Sequence, residues 1–501
     1  MSKDKTKSDR PKIAGVFPFY PLLFGLYPAV ALAAHNISQI DLSTAYRSFL
    51  FSALLAVSLL GLSRLFMRSW MRAAFFTLLL LILFYSYGHL YSILKAQKNS
   101  PLPPVRHRYM MLIWLALAVL AGWICYRKAI NYPLTTSALN ILSIFLLIIP
   151  LFQIGQYELK IRSQEAAATV APTSQGQQSR PDIYYIILDA HMRSDNIQAV
   201  YGFDNSAFID ALKQRGFTIP ACTQSNYATT LLSLASSLNM NYLDKLGGTT
   251  TEQVYALLSN NFVRNFLESQ GYKVVAFETG YRWTQWENAD VYYKYHPDAY
   301  MINPFESLFL QTTMIRMPLD EMQAGERSTG GLIQHNRIVY DLNILKQLPT
   351  SVQGPKFVFA HLVIPHPPFV YGPNGEFVSD PTADPENIPG YRNAVTYIDG
   401  EILQVVDRIL ADSKTPPVIV IQGDHGALFV NEHAQKVTIL NAYYLPGVTD
   451  KVYSTITPVN TFRIILDAYF GQNYPLLDDI SRYSPYTDRF NYELIPNQCN
   501  P

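Results

Sequence analysis

The stretch 417–426, PVIVIQGDHG, and the stretch 182–189, DIYYIILD, decide the fold of the C-terminal part of this chain. Each contains a short, continuously apolar run that is followed by acidic or imidazole side chains. Runs of this length and composition predict β-strands that are buried on both faces. Similar strand-like runs occupy residues 273–277, 356–361 and 439–444.

Helix-like segments separate these strand-like runs. Residues 206–215 and 252–270 are each followed by a glycine that is typical of a helix end, and residues 395–410 form a third such segment. The alternation predicts an α/β domain with a mainly parallel sheet sandwiched by helices. In sheets of this kind the functional residues gather at the carboxyl ends of the strands.

The N-terminal third of the chain has a different composition. The 501 residues carry a formal net charge of +1 and only 15% are charged, against about 25% in soluble chains. Residues 1–162 hold 17 Lys+Arg and 4 Asp+Glu, a net +13, which leaves −12 for residues 163–501. This composition excludes a single soluble globule, a disordered chain and a nucleic-acid-binding tail.

Five apolar runs in the first part have about the length needed to cross a membrane as helices. They are residues 14–34, 49–67, 73–94, 109–126 and 137–157. Ten Lys and Arg residues fall on the N-terminal side of the membrane in this arrangement, and five fall on the opposite side. The excess predicts a cytoplasmic N-terminus, and five spans then put the C-terminal domain outside the cytoplasm.

Three regions follow from these patterns. Residues 1–162 are predicted to be a membrane domain with five transmembrane helices, and residues 163–180, which are small and polar, a flexible linker. Residues 181–501 are predicted to be one extracytoplasmic catalytic domain. Membrane spans beside a catalytic domain suit a membrane lipid or a lipid-linked substrate.

Polar side chains at strand ends provide a candidate metal site. Asp189 ends the first strand of the domain, and Asp424 and His425 follow the strand at 418–422. Carboxylate and imidazole ligands suit a divalent cation, and Mn, Zn, Mg and Ca all remain open.

Two further segments carry groups that could act beside a metal. Residues 225–240 form a polar loop that leads into a helix start, where a hydroxyl could act as a nucleophile or simply cap the helix. His361 lies at the end of a strand, and His366 lies in a proline-rich loop that could hold it against a substrate oxyanion. A packed histidine is the structural alternative for His361.

In order along the chain, PDIYYIILDA (181–190), the Ser/Thr stretch, AHLVIPHPPF (360–369), YRNAVTYIDGEI (391–402) and GDHG (423–426) carry a resemblance. The domain resembles the sulfatase-like branch of the alkaline phosphatase superfamily. It is most similar to membrane-anchored lipoteichoic acid synthases and lipid A phosphoethanolamine transferases. The resemblance implies a metal-dependent phosphoester or sulfoester hydrolase or transferase that forms a covalent intermediate on an envelope lipid or glycan substrate.

The resemblance also implies roles for individual residues. Asp189, Asp424 and His425 match metal ligands, although the lipoteichoic acid synthases have Glu at the first position. Thr230 matches the nucleophile, which also binds the metal, with Thr229 as the neighbouring alternative. His366, with His361 nearby, matches the substrate-binding position. One metal site is implied, because His433 comes too early to match a further histidine of the transferases.

Two other functions remain open. In formylglycine sulfatases a Cys is oxidised within a Cys-x-Pro-Ser-Arg motif, and Cys222 is the candidate in this chain, although its motif lacks the Pro and the Arg. Cys222 and Cys499 would both face an oxidising compartment and could instead form a disulfide. A non-catalytic envelope protein that retains the fold is the second alternative.

Overall fold

The computed structural model describes residues 16–37, 40–96, 107–127, 130–167, 180–296, 302–323, 329–378, 388–427, 432–448 and 450–499. The chain divides into two compact units. The first, which we call the helical unit, comprises Met1–Tyr157 and Ile302–Gly325. The second, which we call the sheet unit, comprises Glu158–Met301 and Glu326–Pro501.

Helices and strands are numbered separately in chain order. The helices are α1 (Tyr20–His35), α2 (Tyr46–Met67), α3 (Trp70–Ala96), α4 (His107–Tyr126), α5 (Tyr132–Ala167), α6 (Ser194–Tyr201), α7 (Ser206–Gln214), α8 (Thr230–Leu238), α9 (Thr251–Ser259), α10 (Phe262–Ser269), α11 (Pro304–Gln311), α12 (Arg316–Gln323), α13 (Thr329–Ser351), α14 (Ile388–Asp412) and α15 (Pro458–Phe470). The strands are β1 (Ile183–Leu188), β2 (Lys273–Phe277), β3 (Val291–Tyr293), β4 (Lys356–Leu362), β5 (Val418–Gly423), β6 (Asn441–Tyr444), β7 (Ser481–Tyr483) and β8 (Glu493–Ile495).

Four helices among the described residues are long and apolar enough to cross a membrane. They are Leu42–Met67, Trp70–Leu94, His107–Tyr126 and Tyr132–Leu159. The helix at the first predicted span, 14–34, is shorter than predicted. It starts only at Tyr20, next to Pro21, and has 16 residues. The chain is an integral membrane protein, and its described residues hold four long apolar helices and one shorter apolar helix.

The predicted linker differs from the structure at its start. Residues 163–167 continue helix α5 rather than leaving it. Residues 168–179, which make up most of the predicted linker, lie outside the described residues.

A segment of the predicted catalytic domain belongs to the helical unit. The predicted boundary gave 181–501 to one domain, whereas residues 302–325 group with the membrane helices. In this segment Phe305 and Phe309 on α11 are buried among apolar residues of the membrane helices. Glu306 accepts two hydrogen bonds from the guanidinium of Arg47 and also closes the capping box of α11 with Asn303. Apolar burial and a half-buried ion pair therefore hold the segment in place.

A close backbone contact joins this segment to α3. The amide of Gly88 donates to the carbonyl of Thr312 at 3.2 Å, and the amide of Met314 donates to the carbonyl of Phe84 at 2.9 Å. A Cβ at position 88 would lie 2.1 Å from the carbonyl oxygen of Gln311. Only glycine permits this approach.

The sheet unit is built on a six-stranded sheet in the order β3-β2-β4-β1-β5-β6. All neighbours are parallel except β5 and β6. Every residue of β1 is fully buried, with Tyr184, Ile186 and Leu188 in one apolar core and the alternate residues in the other. Helices cover both faces, so the predicted fold class, a multi-span α-helical membrane domain plus an α/β domain, is confirmed.

One predicted helix is divided in two. The prediction gave a single helix over 252–270, but α9 ends at Ser259 and α10 starts at Phe262. The side chain of Asn261 accepts a hydrogen bond from the amide of Arg264 and so caps a new helix. The apolar spacing continues across this break, which is why the pattern alone did not reveal it.

We expect Gly88→Ala to destabilise the helical unit by about 1–3 kcal/mol, because the added methyl group overlaps the backbone of residues 311–312. Thermal unfolding of the full chain in detergent measures this. Gly61→Ala is the matched control, since no atom lies within 4 Å of its added Cβ. Equal unfolding temperatures for the two variants would contradict the described contact.

Candidate metal centre

Three neighbouring strands bring the candidate ligands together at one edge of the sheet. In the registers of β1 with β4 and of β1 with β5, Leu188 lies opposite Leu362 and Gly423. Asp189 and Asp424 therefore follow their strands side by side, and His361 precedes the end of β4 by one residue. Ligand atoms of Asp189, His361 and Asp424 all lie within 4.8 Å of one another.

His425 completes the cluster, and all four side chains are buried. Its Nε2 lies 3.4 Å from Asp189 Oδ1 and 3.5 Å from Asp424 Oδ2, and His361 Nε2 lies 3.2 Å from Asp189 Oδ2. Asp189 Oδ1 and Asp424 Oδ2 have no hydrogen-bond partner among the described residues. Two buried carboxylate oxygens without donors are costly, and a cation would satisfy both.

Backbone and hydroxyl groups orient these ligands. His425 Nδ1 lies 2.6 Å from the carbonyl oxygen of Gly426, which can only accept, so Nδ1 carries the proton and Nε2 presents its lone pair to the carboxylates. His361 Nδ1 lies 3.1 Å from Thr284 Oγ1. Asp424 Oδ1 accepts the amide of Ala190 at 3.1 Å. Metal ligands are typically oriented by hydrogen bonds to the atoms that do not face the metal. This set of oxygen and nitrogen ligands fits a divalent cation.

The charges within the cluster favour ionised carboxylates. Burial acts to raise the pKa of Asp189, but the neighbouring His366, His361 and His425 outweigh it and hold that pKa below its usual range. Burial acts to lower the pKa of His425, but the carboxylates of Asp424 and Asp189 outweigh it and raise that pKa. The carboxylate of Asp189 therefore stays charged and attracts positive charge.

Thr230 lies beside this cluster and is the first residue of α8. Its Oγ1 lies 3.3 Å from His425 Nε2, at the helix end that carries the positive partial charge. Thr229 occupies the N-cap position, but its side chain makes no capping hydrogen bond and its Oγ1 is buried without a partner among the described residues. Of the two candidate threonines, Thr230 is the one the structure places against a candidate metal ligand.

His366 lies in the loop after β4. Its Nδ1 is 2.6 Å from the carbonyl oxygen of Pro367, and its ring centroid is 6.5 Å from that of Tyr281. It acts electrostatically on Asp189, whereas His361 touches Asp189 directly. The sequence placed both histidines with the substrate, and the geometry puts His361 within the candidate ligand set.

Sequence reasoning missed residues that follow β2. Thr284 orients His361, its hydroxyl lies 2.8 Å from that of Thr279, and Tyr281 stands next to His366. All three lie in the segment 279–284, just beyond the carboxyl end of β2. The strand-end rule that found Asp189 would have pointed to this segment too.

Cys222, Cys499 and His433 make contacts outside the candidate ligand set. Cys222 forms a disulfide with Cys499, so it offers no thiol for conversion to formylglycine, and that alternative is wrong. His433 pairs with Glu493 at 3.1 Å and stacks on Tyr483.

The sequence model of the sulfatase family matches residues 181–456. This is more than half of the chain, and the chain belongs to the sulfatase family. The predicted resemblance to a sulfatase-like domain is therefore confirmed. No curated protein sequence is a match for the chain.

Solved structures with a similar fold include two phosphoethanolamine transferases. The C-terminal periplasmic domain of EptC from Escherichia coli, in complex with Zn, is 13% identical, with 66% of this chain and 98% of that chain covered and a TM-score of 0.43. The integral membrane lipooligosaccharide phosphoethanolamine transferase A from Neisseria meningitidis is 13% identical, with coverages of 90% and 95% and a TM-score of 0.39. An alkaline phosphatase superfamily protein from Vibrio parahaemolyticus is 13% identical, with coverages of 66% and 82% and a TM-score of 0.39.

We expect Asp424→Asn to weaken binding of added Zn or Mn by at least about 100-fold, because one of two charged ligands is lost. Metal content after dialysis of the full chain, measured by mass spectrometry, tests this. His433→Ala is the control, since that side chain pairs with Glu493 instead. Equal metal content in the two variants would show that the metal binds elsewhere.

The affinity for Zn should also depend on pH. A protonated imidazole cannot bind a metal, and the pKa of His425 is raised above the ordinary 6.5, so protons compete already above that pH. Lowering the pH through this range should weaken binding, by about tenfold per unit once His425 is protonated. Calorimetric titrations between about pH 8.5 and pH 6 test this, and a flat profile would exclude His425 as a ligand.

Proposed function

We propose that the sheet unit is a metal-dependent phosphoester or sulfoester hydrolase or transferase with Thr230 as its nucleophile. The observation that carries the proposal is the 3.3 Å separation of Thr230 Oγ1 and His425 Nε2 at the edge where Asp189 and Asp424 also end their strands. A hydroxyl at a helix start beside two buried carboxylates and an imidazole has no evident structural purpose, since Thr230 does not cap α8.

The residues divide the chemistry between them. A divalent cation held by Asp189, Thr230, Asp424 and His425, with His361 in reach, would lower the pKa of the hydroxyl and offset charge on the transferred group. Thr230 Oγ1 attacks the phosphorus or sulfur, the bond to the substrate alcohol breaks, and that alcohol leaves with a proton. Water or an acceptor alcohol then attacks the threonine ester and frees Thr230. His366 Nε2, whose ring is fixed through Nδ1, would contact the oxygens of the transferred group.

The helical unit favours a lipid or lipid-linked substrate. The Lys and Arg excess supports a cytoplasmic N-terminus, and the disulfide of Cys222 with Cys499 suits an oxidising compartment for the sheet unit. A cytoplasmic N-terminus and an extracytoplasmic sheet unit are both possible only if the chain crosses the membrane an odd number of times. The short helix α1 would therefore cross the membrane along with the four long spans, as in the predicted five-span domain. The linker and the extracytoplasmic domain keep their predicted roles in this arrangement, except for the segment 302–325.

Thr230→Ala tests the nucleophile. In full-length protein loaded with Zn or Mn, it should lower turnover of bis(p-nitrophenyl) phosphate or p-nitrophenyl sulfate by at least about 10³-fold. Thr229→Ala should stay within about threefold of wild type, and Thr230→Ser should retain measurable activity, because both keep a hydroxyl at position 230.

A covalent intermediate gives a second readout. Mass spectrometry of the peptide that contains Thr230 should show the transferred group in wild type and lose it in Thr230→Ala. Full activity of Thr230→Ala with metal bound would exclude this mechanism. Turnover that is absent in wild type and in every variant would favour the non-catalytic alternative.

A further inference from the structure

Arg337, on α13, is a buried arginine without a partner among the described residues. Its exposed fraction is 8%, and it makes no hydrogen bond or ion pair with any of them. Nε is fully enclosed and unsatisfied, whereas the terminal nitrogens are not enclosed. An arginine carries its charge at every physiological pH, so this group is a buried, permanently charged donor with nothing to donate to.

Other buried arginines of the sheet unit are satisfied. Arg264 is 5% exposed and bonds to Glu268 and to two oxygens of Asn288. Arg463 is 8% exposed and donates to the carbonyl oxygens of Met240 and Pro475. The described fold thus provides acceptors where a guanidinium serves the structure, and it provides none for Arg337.

The guanidinium of Arg337 lies next to the segment that leads from β2 toward His366. It packs against Gly280, where a Cβ would lie 2.6 Å from Nη1 and where the positive φ of 83° also favours glycine. The next residue, Tyr281, faces His366. Burial raises the pKa of Tyr281 to about 12, the charge of Asp189 adds to this effect, and the charge of Arg337 opposes it. Tyr281 is therefore within electrostatic reach of both the acidic cluster and Arg337.

Neither of two neighbouring acids makes a hydrogen bond or ion pair with Arg337. Asp341 lies one helical turn further along α13, and neither of its buried carboxylate oxygens has a hydrogen-bond partner among the described residues. Burial raises the pKa of Asp341 well above its ordinary value, and the charge of Arg337 only partly opposes this effect. Glu278 is paired with Lys294 at 3.6 Å. Arg337 thus carries a positive charge without a hydrogen-bond or ion-pair partner among the described residues, and an anion bound beside it would balance that charge.

We infer that Arg337 binds a second anionic group of the substrate, a phosphate, sulfate or carboxylate separate from the ester that reacts. The substrate class is then an ester whose leaving or accepting part carries its own oxyanion. The inference rests on the proposed function for the identity of the reacting ester, but the anion site itself does not depend on turnover. Arg337 would affect substrate specificity, because it binds a part of the substrate that is distant from the reacting atoms.

Inorganic sulfate is the probe for this site. The full chain in detergent is stripped of metal and titrated calorimetrically with sulfate at constant ionic strength. In the stripped protein Asp189 and Asp424 repel sulfate, so binding reports on cationic side chains. Arg337→Met should weaken sulfate binding at least about tenfold, and Arg337→Lys should lie between, since it keeps the charge and loses the planar fork.

Arg408→Met is the matched control, because Arg408 is an exposed arginine of the same unit, on α14. It should bind sulfate as wild type does. Should Arg337→Met fail to fold, Arg337→Gln removes the charge and decides in the same way. Sulfate binding that is unchanged in the charge-free variant, or absent in wild type, would overturn the inference.

Turnover separates the two proposals. In metal-loaded enzyme, Arg337→Met should raise the KM for a p-nitrophenyl phosphodiester that carries a second phosphonate at least about tenfold more than the KM for a neutral-tailed diester. Loss of activity in Thr230→Ala with no effect of Arg337→Met on either sulfate or KM removes only the anion site. Sulfate binding through Arg337 without any turnover removes only the proposed reaction.

Discussion

The parallel pairing of β1 with β4 on one side and β5 on the other is the constraint on which the candidate site depends. Because the ladder aligns Leu188 with Leu362 and Gly423, the polar residues at the ends of three strands arrive within one residue of the same edge. The ladder is fully buried, and neither neighbour can slip without moving its apolar side chains to the wrong core. Backbone hydrogen bonds thus fix the ligand positions before any cation is present.

The strands were predictable because buried parallel strands are continuously apolar, and their ends identified Asp189, Asp424 and His425. The Thr230 assignment came from the resemblance, and the structure places its hydroxyl beside His425. Arg337 was not predictable, because it lies in mid-helix on α13 and reaches the site only through packing against Gly280. The membership of residues 302–325 in the helical unit was also hidden. Two of their hydrogen bonds with α3 join backbone groups, and backbone bonds leave no side-chain pattern in the sequence beyond Gly88.

Buried groups of opposite charge, two carboxylates and one guanidinium, lack hydrogen-bond partners among the described residues in this part of the sheet unit. Carboxylate oxygens of Asp189 and Asp424 lack donors among the described residues on the β1 and β5 side, and the guanidinium of Arg337 lacks acceptors beyond β2. Each group is costly to bury without a partner. The fold therefore keeps unpaired charged groups where a ligand would bind. Such groups lower the stability of the unliganded protein and are typical of binding sites.

The disulfide between Cys222 and Cys499 closes a loop of 277 residues along the chain. Thr230, His361, Asp424 and His425 all lie within that loop, whereas Asp189 precedes it. The bond cannot form until residue 499 has left the ribosome, by which time every one of these groups has been made. The disulfide, which forms when an external oxidant takes two electrons from the two thiols, can therefore appear only after the whole set has been synthesised. A chain that stops short keeps a reduced thiol at position 222, which distinguishes truncated molecules from finished ones.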